Sequence, residues 1–197
     1  MKKPRIAFLI PRLGITDRGA EIFVCELSLR LITDFDVDIF VRKFHERTEI
    51  LEKLRKQGVI IEQISSVSGE HWLLTILYRS FLKKPLDIVH LNPTELEKLV
   101  FSIACIPKLC REKYAIFFPA NGIWGVFACR IIRMFRKIPL IYTSLGGIEP
   151  LIAKQKPNAY IAINPGIARW LRLHFSHLVI PFIPTGVDLR KFTIKIQ

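Results

Sequence analysis

The chain has 197 residues, half of them hydrophobic, with a mean hydropathy of +0.30 and a formal net charge of +13. That length fits one hydrophobic core, and the apolar half supplies it. The longest attractive uncharged run, residues 114–129, is broken by Pro119, Asn121, Gly122 and Gly125 and falls short of the ~20 residues a bilayer requires, which excludes a transmembrane helix there.

The opening MKKPRIAFLIPRLG has a basic lead, but Pro11 and Arg12 end its apolar patch after Ile10, too soon for a signal peptide. Cys25, Cys105, Cys110 and Cys129 form no C-x-x-C pair and fall in helix-like stretches, so they read as reduced thiols of a cytoplasmic protein. The charge is uneven along the chain. Residues 1–97 hold 15 Lys and Arg against 14 Asp and Glu, whereas residues 98–197 hold 15 against 3. A basic field of that kind attracts anionic lipid, phosphorylated ligands or nucleic acid.

In chain order, RIAFLI (5–10) reads as a buried strand and PRLGITDRGAE as the loop after it. Gly14 and Gly19 let backbone approach a phosphate, or simply serve the geometry of a βα turn. A helix begins near Thr16 or Asp17, either of which can cap it, and carries Ala20, Val24, Leu27 and Leu31 at helical spacing. DVDIFV (36–41) follows. Asp34, Asp36 and Asp38 alternate as metal ligands on a strand would, but they read better as the solvent-facing start of that strand.

A helix over 46–57, a strand VIIEQI (59–64) and a helix over 71–83 come next. The stretch 71–84 combines Trp72, Leu73, Ile76, Leu77 and Phe81 with Arg79, Lys83 and Lys84, which suits either a helix covering a sheet or one lying in a membrane interface. LDIVHL (86–91) ends on His90, the one histidine at an expected ligand edge, where it can bond a substrate hydroxyl or close the strand. Then come a helix over 94–110, a strand YAIFFP (114–119), a helix over 122–136 with Arg130, Arg133 and Arg136 along one side, and a strand PLIYTS (139–144). The chain closes with strand 158–163, helix 164–175 and strand 178–183.

This βα alternation predicts a doubly wound α/β domain with a mostly parallel sheet. Ligands in such sheets bind beyond the carboxyl ends of strands. The ends at 11–19, 90–93, 119–122, 144–149 and 164–166 are rich in Gly, Asn, Pro or Ser. No histidine or cysteine spacing suits zinc, and no nucleophile elbow is present.

IPTGVDLRKF, from Ile183, resembles the I-P-N-G-V-D-x-x-x-F signature that closes the N-terminal domain of family 4 glycosyltransferases. Residues 117–147 and 157–175, the first loop with its helix, and DIVHL resemble that family in the same order. The resemblance implies a Rossmann-like N-terminal half of a GT-B fold over residues 1–187, with 188–197 starting the linker to a donor domain that this sequence does not include. It implies an acceptor-binding domain of a retaining transferase, inactive alone, that moves sugar from a nucleotide-sugar co-substrate to a glycan or lipid-linked acceptor without a metal or other cofactor.

By position, Gly14, Asp17, Arg18 and Gly19 would meet the donor phosphates, and His90, Asn121, Gly122, Ser144, Gly146, Gly147 and Glu149 would line the acceptor cleft, with Pro184, Gly186 and Asp188 at the hinge. Arg18 replaces a glycine of the family's G-G-A-E, Thr185 replaces the asparagine of I-P-N-G, and Leu145 stands where many members carry a histidine, so no catalytic base carries over. Expected partners are the donor domain, the acceptor and an anionic surface at the inner face of the membrane. A non-catalytic membrane-surface or accessory binding module is the alternative. Nucleic acid, prompted only by the basic charge, lacks a reading motif. Residues 188–197 are expected to pack irregularly.

Overall fold

β1 (Arg5–Leu9) has apolar side chains on both faces, as a strand covered on each side must. In the computed structural model, which describes residues 3–16, 18–43, 48–68, 76, 92–120, 122–145 and 147–184, the elements after β1 are α1 (Gly19–Leu31), β2 (Asp36–Arg42), α2 (Glu49–Lys56), β3 (Ile60–Ile64), α3 (Pro93–Arg111), β4 (Ile116–Pro119), α4 (Ile123–Arg133), β5 (Ile141–Ser144), α5 (Pro150–Ala153), β6 (Ala159–Ala162) and α6 (Pro165–His174). The fold is α/β, a parallel sheet flanked by helices.

β3, β2, β1 and β4 are hydrogen-bonded in that order, and every pairing is parallel. A parallel bridge from Phe117 to Leu140 carries the sheet on to the β5–β6 pair, and Val179 and Phe182 bridge to the far side of β6. The spatial order is therefore 3-2-1-4-5-6, which reverses direction between β1 and β4. β2 and β4 occupy both edges of β1, so no strand separates β1 from β4. The expected strand 86–91 lies outside the described residues, as does the helix expected over 71–83 apart from Ile76.

The side-chain period of two distributes the core. Ile6, Phe8 and Ile10 pack with Val37, Ile39, Val41, Phe118, Val24, Leu51 and Leu54, beneath α1 and α2. Ala7 and Leu9 face the other way with Phe117, Leu140, Tyr142 and Tyr160, beneath α3, α4, α5 and α6. Fully buried residues such as Phe8, Leu9 and Phe117 each stabilise by about 1.5–3 kcal/mol. Cys105 and Cys129 sit inside the second layer as free thiols, pushed up in pKa by burial, and Cys25 lies in the first.

Three sequence expectations change. α1 starts at Gly19 with Arg18 as an uncapped N-cap; Thr16 belongs to the preceding loop, where its amide donates to Arg12 O at 3.1 Å and its hydroxyl caps nothing. Arg130, Arg133 and Arg136 do not form a free helical stripe: α4 ends at Arg133, and the three donate to Gln155 Oε1, Lys156 O and Glu112 O. The third concerns Asp38, which is fully buried and not solvent-facing. Tyr114 donates to its Oδ2 at 2.7 Å, and Arg5, itself 2.6 Å from Glu112, forms a second short contact there.

Burial raises the Asp38 carboxyl above its ordinary value, while the Tyr114 hydrogen bond and the Arg5 charge pull it down. A carboxyl held high binds its proton in the folded state before the unfolded chain does. Its contribution to stability therefore falls as pH rises through that window. Tyr114→Phe removes a hydrogen bond to a buried charge and should cost about 1.5–3 kcal/mol at neutral pH. The cost should shrink on acidification, as Asp38 takes up its proton earlier than an ordinary carboxyl would; urea denaturation across a pH series checks it, and a cost independent of pH would contradict the assignment.

Candidate functional site at the carboxyl edge

Beyond the ends of β1 and β2, the loop 11–16 folds back on itself through Ile15 N to Arg12 O (2.9 Å), with Leu13 fully buried. Gly14 turns there with φ +84°, and an added Cβ would lie 2.7 Å from Thr48 Oγ1 and 3.0 Å from Leu51. Gly14 is thus required by packing against the start of α2. Gly19, by contrast, has open space where a side chain would project, so the first turn of α1 is approachable. Arg18 stands next to it at the N-cap, and Asp17 lies outside the described residues.

Arg12 and Arg42 converge on Glu97 of α3, at 2.8 and 3.5 Å, and Glu97 is only 1% exposed. This cluster was not foreseen. It ties the first loop to α3 across the reversal point of the sheet.

The second group lies beyond β4 and β5. α3 is started by Asn92, which accepts from Glu95 N at 2.9 Å, with Pro93 in the first turn. The cap fixes the helix's first turns, so Glu95 and Lys98 pair at 2.7 Å and Trp124 Nε1 donates to Glu95 Oε2 at 3.0 Å. Gly122 caps α4 with φ +87°, a conformation that favours glycine, and the Lys98 side chain passes 3.7 Å from where its Cβ would be. At the end of β5 the Tyr142 hydroxyl donates to Glu149 Oε2 at 2.6 Å, and Ser144 closes a tight turn onto Gly147 O. Tyr160 of β6 packs edge-on to Tyr142, with ring centres 5.3 Å apart.

Glu149 is raised above the ordinary carboxylate range, chiefly by burial; Tyr142 and Lys98 oppose the shift and Glu95 adds to it. Of the expected cleft residues, Gly122, Ser144, Gly147 and Glu149 therefore stand on one edge. His90, Asn121 and Gly146 lie outside the described residues. Pro184 is exposed, and Gly186, Asp188 and the rest of the tail after it also lie outside. The sequence reading missed Glu95, Lys98, Trp124, Tyr142 and Tyr160, whose signal is only their position one or two turns from a strand end.

Chemically the group offers a half-buried carboxyl, a phenol, an ammonium and an indole around glycine turns. Such a set can hold a hydroxylated ligand by hydrogen bonds and an apolar face. Among the described residues no group of His, Cys, Asp and Glu is placed to hold a metal ion. No described helix is long and apolar enough to cross a membrane.

The architecture is that of Rossmann-like halves of GT-B proteins. No protein-family model matches the chain, and no curated protein sequence does so significantly. Solved structures share the fold. Arabidopsis thaliana UGT89C1 complexed with quercetin is 13% identical over 96% of this chain and 54% of its own, with a TM-score of 0.58. The N-terminal domain structure of Candida albicans trehalose-6-phosphate phosphatase gives 9% identity over 98% and 52%, with a TM-score of 0.62. The glycotransferase of kitacinnamycin gives 12% over 100% and 55%, with a TM-score of 0.54. The chain thus spans about half the length of each of these structures.

Gly14→Ala should cost about 2 kcal/mol or more, combining a left-handed conformation with overpacking; a denaturation midpoint unchanged from the parent would refute the packing role. Lys98→Met removes a charge that favours ionised Glu149 and should raise that carboxyl further. Carbon-13 NMR titration of the glutamate side chains reads the shift directly, and a downward movement would show that Lys98 does not face Glu149.

Proposed function

We propose that this chain is the acceptor-binding half of a sugar transferase of the two-domain GT-B kind. The cluster of Glu149, Tyr142, Lys98, Glu95 and Trp124 at the carboxyl ends of β4 and β5 carries the reading, because it lies beside the point where ligands meet such sheets. The shared fold supports it. UGT89C1 has been solved with quercetin, with UDP and with UDP-L-rhamnose.

In this reading a donor half, in the same polypeptide or another, brings the nucleotide sugar over the edge formed by the first loop and α4. Gly19 and Arg18, at the open start of α1, meet its phosphates. The acceptor, a glycan or a lipid-linked sugar, lies against Trp124, whose ring supplies an apolar face. Glu149 orients the acceptor hydroxyl, and the Tyr142 bond holds the carboxyl in place. The transfer breaks the bond from the sugar's anomeric carbon to the nucleotide phosphate and the O–H bond of the acceptor, forms one from that carbon to the acceptor oxygen, and releases the nucleoside diphosphate, whose phosphate takes the proton, with configuration retained and without metal. Asp38 plays no part, since its carboxyl is buried at the opposite end of the sheet.

The test is transfer by the complete natural polypeptide, or by this chain mixed with its donor half, read as nucleoside diphosphate release from a panel of UDP- and GDP-sugars. Glu149→Gln should lower kcat about 10²-fold or more while the fold is retained, as expected for a residue that positions the reacting group. Full activity of Glu149→Gln, or rapid transfer by residues 1–197 alone, would overturn the assignment.

A further inference from the structure

The opposite edge of the sheet carries chemistry that the carboxyl-edge cleft does not use. A helix in a parallel sheet returns to the amino edge, so the ends of α3, α4 and α5 all arrive there ahead of β4, β5 and β6. At the end of α4 the chain makes a tight turn, held by Phe135 N to Ile132 O (3.0 Å) and Arg136 N to Ile132 O (2.9 Å). The turn presents two large apolar side chains to solvent, Met134 at 77% and Phe135 at 83% exposure. Nothing described covers either one.

Cations surround this pair. Arg111, Lys113, Arg136, Lys137, Lys154 and Lys156 are exposed on the same edge. Between residues 98 and 184 the only acids are Glu112 and Glu149. Glu149 belongs to the far edge, and Glu112 pairs at 2.6 Å with Arg5, which it shares with Asp38. Beside the turn lies an open depression of about 490 Å³ lined by Lys3, Arg5, Arg111, Glu112, Lys113 and Tyr114 among others, four cations against one carboxylate. Arg136 bridges the two by donating to Glu112 O at 2.8 Å.

We infer that the amino edge around Met134 and Phe135 docks on an anionic lipid bilayer. The pair enters the acyl boundary, the basic ring meets the headgroups, and the depression receives a headgroup phosphate. Rigid presentation matters, because a turn already fixed by hydrogen bonds loses little entropy on insertion. A polyanion alone would account for the cations but not for two apolar side chains thrust outward among them. A protein partner would need a wider apolar area than two residues give. The docking face differs from the proposed cleft and stands independently of the sugar-transfer reading. It turns the cleft away from the lipid by about the length of a strand, at ~3.3 Å per residue.

Sedimentation with vesicles tests it, using the full chain and phosphatidylcholine alone or mixed with phosphatidylglycerol. Binding should require the anionic lipid and weaken as salt rises, because the Debye length shortens from ~10 Å at 0.1 M. Lys113→Glu with Lys137→Glu should weaken binding by about twentyfold or more, on the basis of roughly fivefold per cation near such a surface. Met134→Ser with Phe135→Ser should weaken it about tenfold or more with charge unchanged. All four side chains are at the surface, and circular dichroism confirms that each variant folds. Full binding by the serine variant, displacement by millimolar inorganic phosphate, or binding to RNA but not to vesicles would each overturn the proposal.

Discussion

Parallel hydrogen bonding of β1 to β2 on one side and to β4 on the other is the constraint on which the rest of the molecule depends. It continues past the strands, with Ile10 N bonded to Phe40 O and Ala120 N to Leu9 O. Both chains therefore leave the sheet at the same level and on the same edge. One enters the loop containing Arg12 and Gly14; the other enters the glycine cap of α4. Because helices α1 and α2 cover one face and α3 to α6 the other, the crossovers part between β1 and β4. The crevice is a consequence of that parting, and Glu97 joins its two sides through Arg12 and Arg42.

Much of this was legible in the sequence, because central strands of a parallel sheet must be apolar on both faces. RIAFL, IFFP and IYTS announce themselves in that way. DVDIFV misleads for the same physical reason. Its alternating aspartates look like an outer face, yet Asp38 points inward and is compensated by Arg5 and Tyr114, 33 and 76 residues away. No local pattern reports so distant a partner. The start of α1 lies later than Thr16 suggests, because the backbone of Thr16 closes the preceding turn onto Arg12 O, and α5 is too short, at four residues, for any periodicity to reveal.

The candidate site divides along the same line. Its backbone was readable: glycines and a serine at strand ends mark Gly14, Gly19, Gly122, Ser144 and Gly147. Its side chains mostly were not. Glu95 and Lys98 look like an ordinary surface pair in a helix, Trp124 like core, and Tyr142 and Tyr160 like sheet filling. Only the fold brings indole, ammonium, carboxyl and phenol together. Gly14 adds a demand that its sequence context does not show, since a Cβ there would lie 2.7 Å from Thr48 Oγ1 and 3.0 Å from Leu51.

A parallel sheet also separates two kinds of loop, and the charge follows that separation. Around the β4–β5 cleft Glu95 pairs with Lys98, Glu97 with Arg12 and Arg42, and Glu149 with the Tyr142 hydroxyl, with Lys98 nearby. A cleft so balanced suits a neutral, hydroxylated ligand held by direct hydrogen bonds, since it exerts little long-range field. The amino edge of the β4–β6 half is the reverse, with cations far outnumbering acids. Much of the basic excess therefore acts as an oriented field rather than a diffuse one, and within a Debye length it turns that edge toward any anionic surface. Recognition at one edge and orientation at the other thus need not compete for the same residues.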